Sequence, residues 1–284
     1  MFESVSKLCI ITDLDGTFLP KSKVPLPQDL KAVRRFEAAG GLFTIATGRT
    51  VEASKRYPEE LGLKSPMIVF NGAGIYDAAC DRLLYTHPLP EAAREMTRRI
   101  LQDNPHAGAE VLCAASTWVV NDTPIERQHI KVCGVTPRFG SVDEVREDWL
   151  KVLFAMEPEE IPDFIRYIDA QGFSGVDFIR SERRFYEMLP RGVSKGSALT
   201  AYRSLPGMEG FTFIAVGDFD NDVEMLRAAD LAVVPQNAAA SAKACADLIL
   251  SRTCEEGAME ELIDTLLCAP DLSMLGALHR QGKQ

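Results

Sequence analysis

Asp13 and Asp15, separated by one residue, stand in the run Asp13-Leu14-Asp15-Gly16-Thr17, directly after the short apolar stretch Lys7 to Thr12. Carboxylates at i and i+2, turned by a glycine, converge on one point beyond the C-terminal end of a strand, where open α/β sheets bind their ligands. An acidic turn capping the next helix is the alternative reading, but that helix starts only at Pro27. A second acidic run, Gly217-Asp218-Phe219-Asp220-Asn221-Asp222, follows the apolar stretch Phe211 to Val216. Its acidic and amide side chains repel one another unless a cation or hydrogen bonds compensate. Hard oxygen donors of this kind suit Mg²⁺, which binds few carboxylates and keeps several waters. Capping of a helix from Asn221 explains one or two of these residues but not all, and Asp220 is the weakest member. Two smaller signals join them. Thr47-Gly48-Arg49 offers a hydroxyl, free N–H groups and a guanidinium at a helix start, which is an anion site, though a plain N-cap explains the threonine equally well. Gly192-Val193-Ser194-Lys195-Gly196 sets a lysine at a helix start, where it can reach a phosphate or simply lie in solvent.

Each of these runs needs a strand to aim it. Lys7 to Thr12, Leu42 to Ala46 and Met67 to Phe70 read as buried strands, with a helix over Pro27 to Ala39 and another from Arg49 to about Leu61. After Pro190 the alternation resumes. Helices are expected over Lys195 to Tyr202, Asn221 to Ala229, Ala239 to Cys245 and Glu256 to Leu267. Strands are expected over Phe211 to Val216, Leu231 to Val234 and Asp247 to Leu250. That pattern is a doubly wound parallel sheet. The middle differs. Helices at Glu91 to Gln102 and Pro158 to Gln171 are interleaved with paired strands at Glu110 to Ala115, Trp118 to Asn121, Trp149 to Met156, Gly175 to Ile179 and Arg184 to Leu189. Paired strands between helices predict an antiparallel sheet covered on one face, hence an inserted α+β unit. Residues 1–86 and 190–284 then form the core and residues 87–189 the insertion, with Pro270 to Gln284 a weakly patterned tail.

Length and charge limit the functions available. A chain of 284 residues is long enough for about two domains. With 31 basic and 41 acidic residues the net charge is −10, which repels nucleic acid and anionic membranes, so an anionic substrate must be held by a local cation. No apolar run approaches the ~18 residues of a membrane span, and Asp13 comes too early for a signal peptide, so a cytoplasmic protein is expected. The seven cysteines are scattered without a paired spacing, and most read as small buried hydrophobes. His87, His106, His129 and His279 show no metal-binding spacing and read as surface or structural.

The order of the four runs (DxDGT, TGR, a glycine-flanked lysine, GDxxND) resembles the haloacid dehalogenase (HAD) superfamily of phosphotransferases, and specifically its Cof-type subfamily with a large α/β cap. Asn71-Gly72-Ala73, the stretch EMLPRGVSKG from Glu187 to Gly196, and Pro235-Gln236-Asn237-Ala238 extend the likeness to about Leu267. The resemblance implies an α/β fold with a Rossmann-like, doubly wound core and an inserted cap that selects substrate. It implies that Asp13 is the nucleophile and Asp15 the general acid and base. Mg²⁺ would be held by Asp13, the Asp15 carbonyl and Asp218, with Asp222 behind the metal. Thr47 and Lys195 would bind the phosphoryl oxygens with Asn221 beside them, and Arg49, Asn71 and Gly72 would line the substrate side. Such roles agree with phosphoryl transfer, which needs mainly positioning and charge neutralisation. The acidic Asp220 and the Pro235-Gln236 pair depart from the subfamily's pattern and touch substrate detail rather than the chemistry.

The function implied is a Mg²⁺-dependent phosphatase acting on a small phosphate ester, most naturally a sugar phosphate. A phosphomutase returning the group to a sugar, and a non-catalytic phospho-acceptor switch, use similar residues. The second carboxylate Asp15 and the insertion of roughly 100 residues argue against the switch. Gly72-x-Gly74 lacks the third glycine of a dinucleotide fingerprint, and no P-loop is present. Oligomeric state and the identity of the substrate are not written in these motifs.

Overall fold

The computed structural model describes residues 5–268. Five strands form a wholly parallel sheet in the order Leu248–Ile249, Leu231–Val234, Thr212–Val216, Leu8–Thr12, Leu42–Ile45. Leu8–Thr12 is buried along its whole length because both faces carry helices, which is why it reads as an unbroken apolar run rather than an alternating one. Ile10 turns to one face, packing with Val33 and Phe36 of helix Pro27–Ala38 and with Leu262 and Leu266 of helix Ala258–Cys268. Cys9 and Ile11 turn to the other, against Leu199 and Tyr202 of helix Lys195–Arg203 and Met225 of helix Val223–Ala228. Burying each such aliphatic side chain contributes roughly 1.5–3 kcal/mol. The architecture is the α/β, doubly wound one expected from the sequence.

The expected strand at Met67 is the short Met67–Val69, joined to the parallel sheet only through the Ala46–Ile68 bridge. It turns back into an unanticipated antiparallel hairpin, Gly74–Asp77 and Arg82–Thr86. The single helix expected up to Leu61 is two short ones, Val51–Ser54 and Tyr57–Leu61. Pro58 lacks the N–H that an unbroken helix would need there, and Gly62 ends the second in the left-handed region at φ 67°.

A six-stranded sheet follows, in the order Val176–Glu182, Phe185–Pro190, Trp149–Ala155, Gly108–Cys113, Thr117–Asn121, Arg138–Phe139. All its pairings are antiparallel except the last. Helices Ala92–Asp103 and Ile161–Gln171 cover one face, with Ile100, Phe164 and Ile168 packed on Val111, Val152, Phe154 and Met188. The other face is not left to water. It turns toward the parallel sheet and is covered in part by Pro124–Cys133, a helix absent from the sequence reading. Its signals were present: Thr123 caps the amide of Glu126, Pro124 opens the first turn and Gly134 closes the last. None of the seven cysteines is in a disulfide; Cys9, Cys113 and Cys254 are buried as expected, but Cys133 and Cys245 are only half-buried and Cys80 and Cys268 are exposed, so most are not core residues. The tail Pro270 to Gln284 lies outside the described residues. Among those described, no helix is long and apolar enough to cross a membrane.

Candidate active site

Strand register brings the sequence motifs to one edge. Thr12 pairs with Val216 on one side and Ile45 on the other, so the residues that follow, Asp13, Gly217-Asp218 and Ala46-Thr47, leave adjacent strand ends together. Gly16 is needed for the crowding this creates: it has φ 91°, and a Cβ there would stand 2.6 Å from the Asp218 carboxylate. Asp13 is almost fully buried, and its Oδ1 accepts a 2.5 Å hydrogen bond from Lys195 Nζ, which also donates to Asp222 Oδ1 at 2.7 Å. The second oxygen of Asp222 accepts the Asp218 and Phe219 amides at 2.9 and 3.1 Å, which engages both oxygens of Asp222 and fixes the loop that presents Asp218. Asp218 Oδ1 accepts from the Thr17 hydroxyl at 2.6 Å.

Oxygens of Asp13, Asp218 and Asp222 lie within 4.8 Å of one another. Burial, only partly offset by Lys195 and reinforced by Asp222 and Asp218, raises the Asp13 carboxyl well above its ordinary value. Burial and the Asp222 charge push Asp218 up to about 7 against the help of Thr17 and Lys195. Lys195 itself is raised; burial alone would lower it, but Asp13 and Asp222 outweigh burial. Three carboxylates around one ammonium are short of positive charge, and their all-oxygen donor set fits a hard divalent cation.

Asp15 is treated in the opposite way. Arg49 clamps both its oxygens at 2.7 Å and Lys23 adds a third contact at 2.6 Å. Burial alone would raise it, but the Arg49 hydrogen bonds and charge, followed by Lys23, hold it well below the carboxylate range. Two carboxylates two residues apart are thus held in contrasting states.

The remaining residues divide. Thr47 is buried, and its Oγ1 accepts the Arg49 amide at 3.2 Å. Asn221 donates to Asn71 Oδ1 at 3.0 Å. Asn71 lies in the left-handed region at φ 52°, which asparagine tolerates. Gly72 packs beneath it, where a Cβ would stand 2.1 Å from the Ser194 carbonyl oxygen. Asp220 turns away to accept from Ser241 Oγ.

A family model described as haloacid dehalogenase-like hydrolase matches residues 10–262. The chain belongs to that family. Curated HAD-like relatives include a pyridoxal phosphate phosphatase of Escherichia coli (strain K12), 27% identical over 85% of this chain and 92% of the relative. A 5-amino-6-(5-phospho-D-ribitylamino)uracil phosphatase of Bacillus subtilis (strain 168) is also 27% identical, over 87% and 93%. A solved haloacid dehalogenase-like hydrolase from Bacteroides thetaiotaomicron superposes with a TM-score of 0.77 at 21% identity, covering 91% of this chain and 99% of that one.

In this HAD-like chain the two sheets enclose a cleft of about 230 Å³. Asp13, Asp15, Arg49 and Asn221 line it from the parallel-sheet side. Strand alternation decides the opposite wall: Val111, Val152 and Met188 face their helices, while Glu110, Leu112, Lys151, Leu153, Phe185 and Glu187 face the cleft. Sequence reading did not single out these six as site residues. Their period of two was visible, but which face a solitary sheet turns toward the core was not. His129, expected on the surface or in a structural role, also lines the cleft, with Nε2 3.2 Å from Glu110 Oε1 and its ring edge-on to Phe185.

Proposed function

We propose that this HAD-like hydrolase cleaves small phosphate monoesters in two steps through a phosphoryl group carried on Asp13. The observation that carries the reading is the Asp13–Lys195–Asp222 chain beside Asp218, with a clamped Asp15 two residues from the nucleophile. Lys195 holds one oxygen of Asp13, and the other attacks phosphorus. The Oδ–P bond forms as the P–O bond to the leaving alcohol breaks, and Asp15 gives its proton to the departing oxygen. Water then attacks the phosphorus of the aspartyl phosphate, Asp15 takes the water proton, and inorganic phosphate leaves with Asp13 restored.

Asp15 in its clamped, ionised form is ready for the second step. The first step needs it protonated, so an anionic substrate that draws Arg49 and Lys23 onto itself would free Asp15 to carry the proton. Thr47 and Asn221 are proposed to bind phosphoryl oxygens. Asp13, Asp218 and the Asp15 carbonyl would hold Mg²⁺, and Asp222, bonded to Lys195 and to the Asp218 and Phe219 amides, would keep them in place. Bound there, the ion would neutralise charge gathering on the phosphoryl oxygens. Residues 87–189 are proposed to act as the cap that excludes water.

A cleft of about 230 Å³ suits a leaving group of one sugar or one substituted ring. Sugar phosphates are the first class proposed. The pyridoxal phosphate and ribitylaminouracil relatives, together with the apolar Leu112, Leu153 and Phe185 of the cap wall, support a second class of ring-bearing phosphates. Phosphate release across a panel of both classes, with Mg²⁺, after EDTA, and with Ca²⁺, tests the reading. Activity should vanish with EDTA, return with Mg²⁺ and be inhibited by Ca²⁺, whose looser shell spoils the attack geometry. Full activity in metal-free buffer contradicts the proposed metal.

A further inference from the structure

Glu187 opens the stretch EMLPRGVSKG but has no part in the chemistry described so far. It sits on strand Phe185–Pro190 of the six-stranded sheet, only 2% exposed, opposite Leu153 of the neighbouring strand. Lys151, two residues from Leu153 on the same face, pairs with Glu187 Oε2 at 2.8 Å and is equally buried. Ser181 donates to Glu187 Oε1 at 2.6 Å. Two further bonds leave the sheet: Lys151 Nζ donates to the Gly48 carbonyl at 2.7 Å, and Asn71 Nδ2 donates to Glu187 Oε2 at 2.6 Å.

The direction of these bonds matters. A carboxylate only accepts, so Asn71 must turn its NH₂ toward Glu187 and its carbonyl oxygen toward Asn221. That oxygen in turn only accepts, so Asn221 must present its NH₂, spending one N–H on Asn71 at 3.0 Å. The second N–H is left for the cleft, which Asn221 lines. Without Glu187 either amide is free to rotate by half a turn and show the cleft an acceptor, which repels a phosphate.

We propose that Glu187 is a positioning residue for the phosphoryl site. From the inserted sheet it sets, through Asn71, which face of the Asn221 amide meets the phosphate, while its partner Lys151 seats the same sheet on Gly48. The inference rests on the phosphatase reading and deepens it, since it ties phosphate recognition to the docked position of the cap.

The test is the affinity for inorganic phosphate in the presence of Mg²⁺, measured by calorimetry and therefore independent of turnover. Lys151→Met combined with Glu187→Met removes both buried charges together, so neither is stranded, and leaves Asn71 no acceptor on the inserted sheet. Asn71→Gly keeps the left-handed backbone and removes the relay. Each change should weaken phosphate binding about tenfold, the worth of one hydrogen bond to a charged group. The triple variant should be no weaker than either parent, because both changes cut one chain. Should the charge-pair variant fail to fold, Glu187→Asp keeps the charge but falls short of Asn71, and the same loss and the same non-additivity with Asn71→Gly are expected. Losses that multiply, or phosphate affinity unchanged in the Glu187 variants, overturn the inference and leave the phosphatase reading standing. If the unaltered protein binds no phosphate, both fall.

Discussion

Asp13 and Asp15 are chemically identical side chains two residues apart, and their surroundings separate them. Asp13 shares one ammonium with Asp222 and lies beside the Asp218 carboxylate, whereas Asp15 is gripped by a guanidinium and a second lysine. Asp13→Asn should abolish turnover on every substrate, since an amide cannot replace the carboxylate proposed to attack phosphorus. Asp15→Asn should be selective. A sugar leaves as an alkoxide that needs a proton, but p-nitrophenolate leaves unaided, and general acid–base help is worth ~10²–10⁴-fold. Sugar-phosphate hydrolysis should therefore collapse, while p-nitrophenyl phosphate gives a burst of about one equivalent of nitrophenol and then stalls. Equal slowing of both substrates without a burst, followed by stopped-flow absorbance, would show that Asp15 has another role. These residues were legible in the sequence because each group lies in a run of at most six positions at the end of an apolar stretch. Glu187, Lys151 and His129 carry no such local pattern, and only the docking of two sheets brings them to the cleft.

Helix Pro124–Cys133 buries a carboxyl group that the fold holds in its protonated form. Glu126 is fully buried, and among the described residues no donor faces either of its carboxylate oxygens, so its one side-chain partner, Glu110, can be met only with a proton between them. Burial first, and then the neighbouring Glu110, push it up to about 8, with His129 opposing. Because this value lies above the ordinary one of 4.5, the folded protein holds a proton that the unfolded chain gives up. Stability should therefore fall as pH rises from about 4.5 toward 8 and stay lower above that. Glu126→Gln should flatten the slope, and at pH 8.5 should exceed the parent by on the order of 2 kcal/mol in urea unfolding. Parallel stability–pH curves for the two proteins would mean that Glu126 ionises as freely as in water. The helix itself escaped the sequence reading although its caps were written there, because its apolar residues are sparse: Ile125, Ile130 and Val132 stand among polar neighbours. The Gly74–Asp77 hairpin escaped because Leu83 and Leu84 break the alternation that marks a strand.

For the molecule as a whole, an acidic chain that handles an anion must gather its cations locally, and Lys23, Arg49 and Lys195 all converge on the Asp13–Asp15 turn. The six-stranded sheet touches that turn's surroundings through Lys151, Glu187 and Glu182, the last 3.9 Å from Lys23. Vanadate with Mg²⁺, as a phosphate analogue, should favour this docked arrangement and protect the 87–91 and 191–194 connections, which follow strands Arg82–Thr86 and Phe185–Pro190, from limited proteolysis. Unchanged cleavage at saturating vanadate would mean that the two sheets do not move relative to each other as cap and core.

The phosphoryl group proposed on Asp13 can be weighed directly. Asp15→Asn protein, mixed with p-nitrophenyl phosphate and Mg²⁺ and quenched in acid during the stall, should yield one peptide heavier by one phosphoryl group. That peptide should contain Asp13, and the added mass should be lost on treatment with hydroxylamine, as an acyl phosphate requires. Full release of nitrophenol with no phosphorylated peptide, or with the group on any other residue, would contradict the account.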